Sequence, residues 1–577
     1  MAQATYDQFP AVEVEAGLLA GYDAIGSEME KALERKGGSV LVLDGYPGTR
    51  WEEIIGGLME TVMFSQMIDI STAYKSEAEV EAMLRDHITE DRVFGVMYHG
   101  TIENFFDEKK LSVLRRRVIE AKGMVLVYGC GAALAGRGDV LVYADLARWE
   151  IQQRYRSGEI GNFIAGNEQE ETLRKYKRGY FIDWRVHDKH KHALLPATDY
   201  VMETNTREKP VMIKAEDLRQ IYADITRRPF RVAPYFDPGV WGGQWMKTVC
   251  GLDPAQKNYA WSFDGVPEEN SLLLKNGETV MELPAQNLVI EQPVGLLGED
   301  IYARFGAEFP IRFDFLDTIG GQNLSLQVHP LKSYIKEQFG MEYTQDESYY
   351  MLDKKEGAET FVYLGVKTGV DPDEMLRALA EAQETGEFDA EKYVNKVPAN
   401  KHDHFLIPAG TVHCSGKDTM VLEISATPYI FTFKLWDWNR VGLDGKPRPI
   451  HLEHGRHNIR FDRDTEFVLQ QLVSPVQEVA CGDGWREEHT GLHELEFIET
   501  RRHWFTKAVE HDTMGTVNML NLVEGSAAIV ESPEGAFKPF TVHYAETFIL
   551  PAAVGKYTIR PAVEGESCAT MKAFVRK

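Results

Sequence analysis

A chain of 577 residues is too long for one hydrophobic core, since single cores stop growing at roughly 250–300 residues, so two or three domains are expected. The net charge of -26 argues against nucleic acid and anionic membranes as partners, both being negative themselves. Hydrophobic and charged fractions of 44% and 26% are ordinary for a soluble globular protein.

The N-terminal stretch, Met1–Pro10, lacks the basic and apolar pattern of a signal peptide, and no run of 18 apolar residues suggests a membrane span. Cys130, Cys250, Cys414, Cys481 and Cys568 are scattered with no CxxC pair. They read as reduced thiols of a cytoplasmic protein. Residues 1–225 alternate β-rich runs (Ser39–Leu43, Met124–Tyr128, Val140–Tyr143) with helical patterns at Glu77–Asp86 and Lys110–Ala121. That alternation predicts an α/β domain on a parallel sheet. Gly45–Trp51 follows the first of these strands, where a phosphate-binding loop would stand, but lacks the GxxxxGK[ST] spacing. His187, His190 and His192 in HDKHKH are expected on a solvated loop.

From about Arg227 onward Pro, Gly and aromatic residues become frequent and short strands dominate, as in antiparallel jelly-roll barrels. One helical insertion is expected near 371–397, opened by the cap Asp371 and by Pro372. In the run Leu324–Pro330 (LSLQVHP), Gln327 and His329 are two apart and share one face of a strand. Glu347 follows in DESYY, and His413 closes the run IPAGTVH. Nitrogen and oxygen donors of this kind suit zinc and related divalent ions.

The LSLQVHP, IPAGTVH and Trp436–Arg440 (WDWNR) runs together resemble the signature blocks of class I mannose-6-phosphate isomerases. Val240-Trp241-Gly242-Gly243, Phe309–Asp317 and Glu546–Tyr557 extend the likeness, in order, over about residues 228–577. The resemblance implies a metal-binding catalytic cupin over 226–480 and a second cupin over 481–577. It implies one zinc ion held by Gln327, His329, Glu347 and His413, and a phosphosugar substrate. The activity implied is the interconversion of mannose 6-phosphate and fructose 6-phosphate. Two alternatives stand beside it: an isomerase or epimerase of another sugar, and a sugar-phosphate sensor with a non-catalytic cupin. The first is motivated by Gln345, which stands where the family carries a lysine, by Lys434, which stands where it carries an arginine, and by the absence of the family's Asp from Glu423–Lys434. The second pairs a degenerate kinase module with a cupin that does not turn over. Lys434 and Arg440 are the candidate catalytic cations, and Lys332 and Trp436 the candidate substrate contacts. Strand alternation predicts that Lys434, Trp436 and Trp438 share one face. Residues 124–156 resemble uridine-kinase-like P-loop proteins, which implies a kinase-like fold over 1–225 without kinase activity.

Overall fold

The computed structural model describes residues 5–576 except 427–430, 444, 447, 475 and 492. The chain divides into two compact units, one comprising residues 11–224 and 271–292 and the other the remainder.

The first unit is built on a seven-stranded sheet. Five parallel strands run in the spatial order Gln66–Asp69, Val125–Tyr128, Val40–Gly45, Val140–Asp145, Tyr200–Glu203, followed by antiparallel Val211–Lys214 and Leu19–Ala20. The central strand pairs in parallel on both sides, with Val42 opposite Val127 and Leu141. A parallel strand is covered on both faces, so its sequence is a continuous apolar run rather than an alternating one. Leu41, Val42 and Leu43 are all fully buried. Helices Glu77–Ile88 and Glu108–Glu120 start at Ser76, in a capping box with Glu79, and at Asp107, whose carboxylate accepts two backbone N–H groups. The hairpin of Ser271–Asn276 and Thr279–Pro284 belongs to this unit, although its sequence lies among the strands of the jelly-roll half. It adds to strand Ala11–Glu13, and Asn205 Nδ2 donates to the Glu282 carbonyl at 3.0 Å. Only long-range pairing of this kind decides such membership.

The HDKHKH segment is not a loop. It forms the helix Trp184–Leu194, in which His187 and His190, three apart, both turn into the interior while His192 is exposed. The partners explain this: His190 Nε2 meets the buried Asp44 carboxylate at 2.9 Å, and His187 Nδ1 donates to the Asp183 carbonyl at 2.7 Å. In the loop after the central strand, Arg50 is bound to Glu159 at 2.5 Å and Glu150 at 3.4 Å.

The second unit holds two antiparallel sandwiches. One pairs a six-stranded sheet (Tyr235–Asp237, Trp261–Gly265, Arg312–Asp317, Thr419–Ser425, Glu347–Lys354, His404–Ile407) with a five-stranded one (Phe433–Trp436, Leu326–Val328, His413–Ser415, Phe361–Val366, Val394–Pro398). The other is formed by the six- and four-stranded sheets of residues 477–575, with a core of Phe505, Leu520, Leu522, Val530 and Phe548. The expected helix is Pro372–Thr385, with the Asp371 side chain accepting from Glu374 N and Gly386 in the left-handed conformation at its end. All five cysteines are free. Among the described residues no helix is long and apolar enough to cross a membrane.

Candidate metal centre

Strand Leu326–Val328 lies between strands His413–Ser415 and Phe433–Trp436, and Gln327 is in register with His413 on one side and Lys434 on the other. Residues directly opposite in antiparallel strands project to the same face, so three side chains converge from three strands. His329 follows at the strand's end, and Glu347 begins the strand Glu347–Lys354 in the other sheet. Gly410, at φ 90°, shapes the turn that delivers His413, and its N–H donates to the His329 carbonyl at 3.0 Å. A β-carbon there would lie 2.6 Å from Arg460 Cγ and 3.0 Å from the Asn458 carbonyl, so only glycine fits without displacement.

His329, Glu347 and His413 are fully buried, and each offers a ligand atom within 4.8 Å of the others. Glu347 Oε2 stands 3.1 Å from His329 Nε2, and Oε1 stands 2.8 Å from His413 Nε2. The outward ring nitrogens are already spent: His329 Nδ1 donates to the Phe431 carbonyl at 2.7 Å and His413 Nδ1 to the Thr411 carbonyl at 2.9 Å. Those bonds fix the tautomer that turns both Nε2 lone pairs inward, as metal-binding imidazoles require. His329 Nε2 and Glu347 Oε1 have no hydrogen-bond partner. Two ring nitrogens and a carboxylate converging in a fully buried interior form a donor set that a cation would satisfy. Gln327 completes the set, its amide nitrogen 3.1 Å from His413 Nε2. The two ends of an amide are distinguished only by their surroundings, so its oxygen can take that place toward a cation. The four residues therefore fit a divalent ion.

Charge follows the same logic. Burial alone would lower the His329 imidazole, but the adjacent Glu347 carboxylate overrides it and raises it. Burial alone would push the Glu347 carboxyl up; His329 and His413 outweigh that and hold it well below the usual range. Gln345 braces the carboxylate, donating to Glu347 Oε2 at 2.9 Å while its own oxygen accepts from Phe431 N at 3.0 Å.

Glu423 belongs to this interior as well, although the sequence reading passed over it. Burial first, then the neighbouring Glu347 and Asp314, raise its carboxyl well above the usual range. It lies opposite Asp314 on one neighbouring strand and Tyr349 on the other. The available signal was a lone carboxylate in the apolar run TMVLEIS, in step with Val421 and Ser425.

The expected alternation after Phe433 does not hold. A bulge at Leu435 sets Lys434 opposite Gln327 but Trp436 opposite Leu326, so the two point to opposite faces. Trp436 is buried, with its ring 6.1 Å from that of Phe388, and Trp438 enters a left-handed turn at φ 55°. Arg440 is committed to the same turn: it contacts the Asp437 carboxylate, and donates to the Asp437 carbonyl at 3.1 Å and the Asn323 carbonyl at 2.7 Å. Asp437 is further tied by Ser325 Oγ at 2.7 Å and Arg448 Nε at 3.0 Å. Arg440 is thus tied into the turn by these bonds. Lys332 lines a separate cavity with none of the four ligand-set residues in its wall.

Comparisons with known proteins bear on both halves. Residues 21–227 match a family model described as a domain of unknown function (DUF8485). The chain is 28% identical over 264 residues to mannose-6-phosphate isomerase ManA of Bacillus subtilis (strain 168), covering 43% of this chain and 77% of that protein. It is 23% identical over 338 residues to the probable mannose-6-phosphate isomerase GmuF of the same organism, covering 58% and 97%. Among solved structures, the mannose 6-phosphate isomerase from Bacillus subtilis superposes with a TM-score of 0.47 at 18% identity, covering 60% of this chain and 99% of that one.

Proposed function

We propose that this protein is a zinc-dependent aldose–ketose isomerase that interconverts mannose 6-phosphate and fructose 6-phosphate in the cytoplasm. The observation that carries the reading is the buried set Gln327, His329, Glu347 and His413, with inward lone pairs and Lys434 in register beside it. The relatives' names support the substrate.

When bound, zinc supplies a Lewis acid for the sugar carbonyl and for negative charge developing on oxygen. The chain's own residues do the rest. His329 and His413 are held in the ligating tautomer by the Phe431 and Thr411 carbonyls, and Gln345 holds the Glu347 carboxylate in place. Lys434, in register with Gln327, would carry a proton to or from the reacting carbons. Glu423, opposite Tyr349 and Asp314 in the same interior, is a further carboxyl group within this sheet. Turnover of mannose 6-phosphate with and without a chelator tests the reading. Metal-free protein should be inactive and recover on adding zinc; activity that survives full zinc removal contradicts it.

One observation favours an isomerase or epimerase of a different sugar. Gln345, neutral and hydrogen-bonded to Glu347, fills the place of the lysine that the family resemblance implies. A substrate panel of aldose phosphates and free aldoses separates the two readings.

For the first unit, the central position of strand Val40–Gly45 and the loop after it support a kinase-like ancestry. Arg50 is occupied by Glu159 and Glu150 in place of a phosphate, which supports a role without phosphoryl transfer.

A further inference from the structure

Beneath the loops that carry the ligand set lies a cavity of about 540 Å³ lined by, among others, Arg304, Lys332, Asp346, Arg463, Glu496 and Arg576. Asp346 and Glu347 are consecutive residues entering a strand, so their side chains diverge: Glu347 joins the ligand set and Asp346 turns into this cavity. The Asp346 carboxylate is capped by Ala409 N at 2.8 Å.

Two side chains in the wall have buried polar atoms without a hydrogen-bond partner. Arg463 is 8% exposed, its guanidinium lies 4.4 Å from the centre of the Phe467 ring, and its Nε makes no hydrogen bond. Glu496 is 3% exposed, and neither carboxyl oxygen has a partner. A buried guanidinium N–H without an acceptor forgoes one of the stronger hydrogen bonds a protein makes. Two of the other cations are already engaged, Arg460 by Asp462 at 3.0 Å and Arg576 by Glu499 at 3.1 Å. Lys332 is exposed, is the first residue of the helix Lys332–Phe339, and makes no hydrogen bond or ion pair among the described residues. That helix has no side-chain cap, so its first N–H groups and its positive dipole end add to the field. Asp346, Glu494 and Glu496 share this wall with Arg463, Lys332 and Arg304, so the cavity offers cations beside carboxyl groups, with the cations gathered near the open helix start in a chain of net charge -26.

We propose that this cavity is a binding site for a small phosphorylated metabolite, separate from the metal centre. The phosphoryl group is held by Arg463, Lys332 and the start of the helix, and the hydroxylated skeleton reaches the Glu496 carboxyl. Burial, with Asp346 nearby, raises that carboxyl well above the usual range, so it can donate to a hydroxyl. The volume exceeds what phosphate alone needs and suits a sugar-sized skeleton.

Two measurements on the full-length, zinc-loaded protein test this. Crystals soaked in tungstate, a phosphate mimic located by its anomalous scattering, should show a tungsten peak bounded by Arg463 and Lys332. In calorimetric titrations with inorganic phosphate, Lys332→Gln and Arg463→Gln should each weaken binding by about ten-fold or more, the scale of one charge-assisted hydrogen bond. Lys434→Met should leave that binding intact. Lys332 is exposed, so its variant keeps the test alive if Arg463→Gln fails to fold. A tungsten peak confined to the surroundings of Lys434, no peak at all, or unchanged affinity in Lys332→Gln would each overturn the proposal.

Discussion

Gln327 and Lys434 stand directly opposite each other in adjacent antiparallel strands, with His413 in register on the other side of Gln327. Register alone therefore directs the lysine to the face of the ligand set, and the bulge at Leu435 makes it independent of Trp436. If Lys434 Nζ transfers a proton, Lys434→Met should lower turnover by about 10²-fold or more, the usual scale for losing a general acid–base group. Zinc content should not change. Near-normal turnover with full metal would place the catalytic cation elsewhere.

The metal set makes a graded prediction. Protein purified without chelator should carry close to one zinc per chain by elemental analysis, and the double variant His329→Ala, His413→Ala should carry none. Gln345→Leu removes the brace on Glu347 and the acceptor of Phe431 N–H but no ligand, so it should weaken zinc by about ten-fold without abolishing it, as losses of supporting hydrogen bonds do. Stoichiometric metal in the double variant would refute the ligand assignment.

Arg440 separates a structural clamp from a catalytic group. Arg440→Ala removes hydrogen bonds to Asp437 and Asn323 and leaves a buried carboxylate with only Ser325 and Arg448. The expected cost is about 1–3 kcal/mol of stability. Zinc content should stay at the wild-type level, and turnover measured well below the melting temperature should stay close to it. A hundred-fold loss of turnover at unchanged stability would restore the catalytic role.

The candidate ligand set was legible in the sequence because its members sit in short runs whose local geometry is nearly fixed: a strand and its end for Gln327 and His329, a strand start for Glu347, and a Pro-Gly turn for His413. The parallel sheet was legible for a similar reason, since strands buried on both faces leave uninterrupted apolar runs. What the sequence hid depends on long-range pairing. Nothing local to Phe433–Trp438 announces a bulge, yet one extra residue reverses the face of Trp436. The HDKHKH run looked like a solvated loop because the partner that draws His190 inward, Asp44, is supplied by a strand 146 residues away. Hydrophilic composition gives exposure only when no buried acceptor awaits.

His187 provides the last prediction. It is fully buried, its Nδ1 donates to the Asp183 carbonyl, its ring meets Phe163 edge-on at 4.6 Å, and its Nε2 has no partner. Burial lowers its pKa from the usual 6.5 to about 4, with the Asp183 carbonyl opposing the shift and His190 reinforcing it. The folded protein thus keeps His187 neutral where the unfolded chain takes up a proton. The unfolded state binds more protons between pH 6.5 and 4, so stability rises with pH in that window. His187's contribution is fully present above pH 6.5 and is lost progressively as pH falls toward 4. At pH 5 the loss relative to pH 7.5 should be about 2 kcal/mol, at roughly 1.4 kcal/mol per pH unit. The phenyl ring of His187→Phe occupies the same space against Phe163 and cannot take up a proton. Urea denaturation of both proteins at pH 7.5 and 5 should therefore show a smaller acid-induced drop in the variant, by about that amount. Equal drops in the two proteins would mean that His187 is protonated in the fold, and that its Nε2 has found an acceptor.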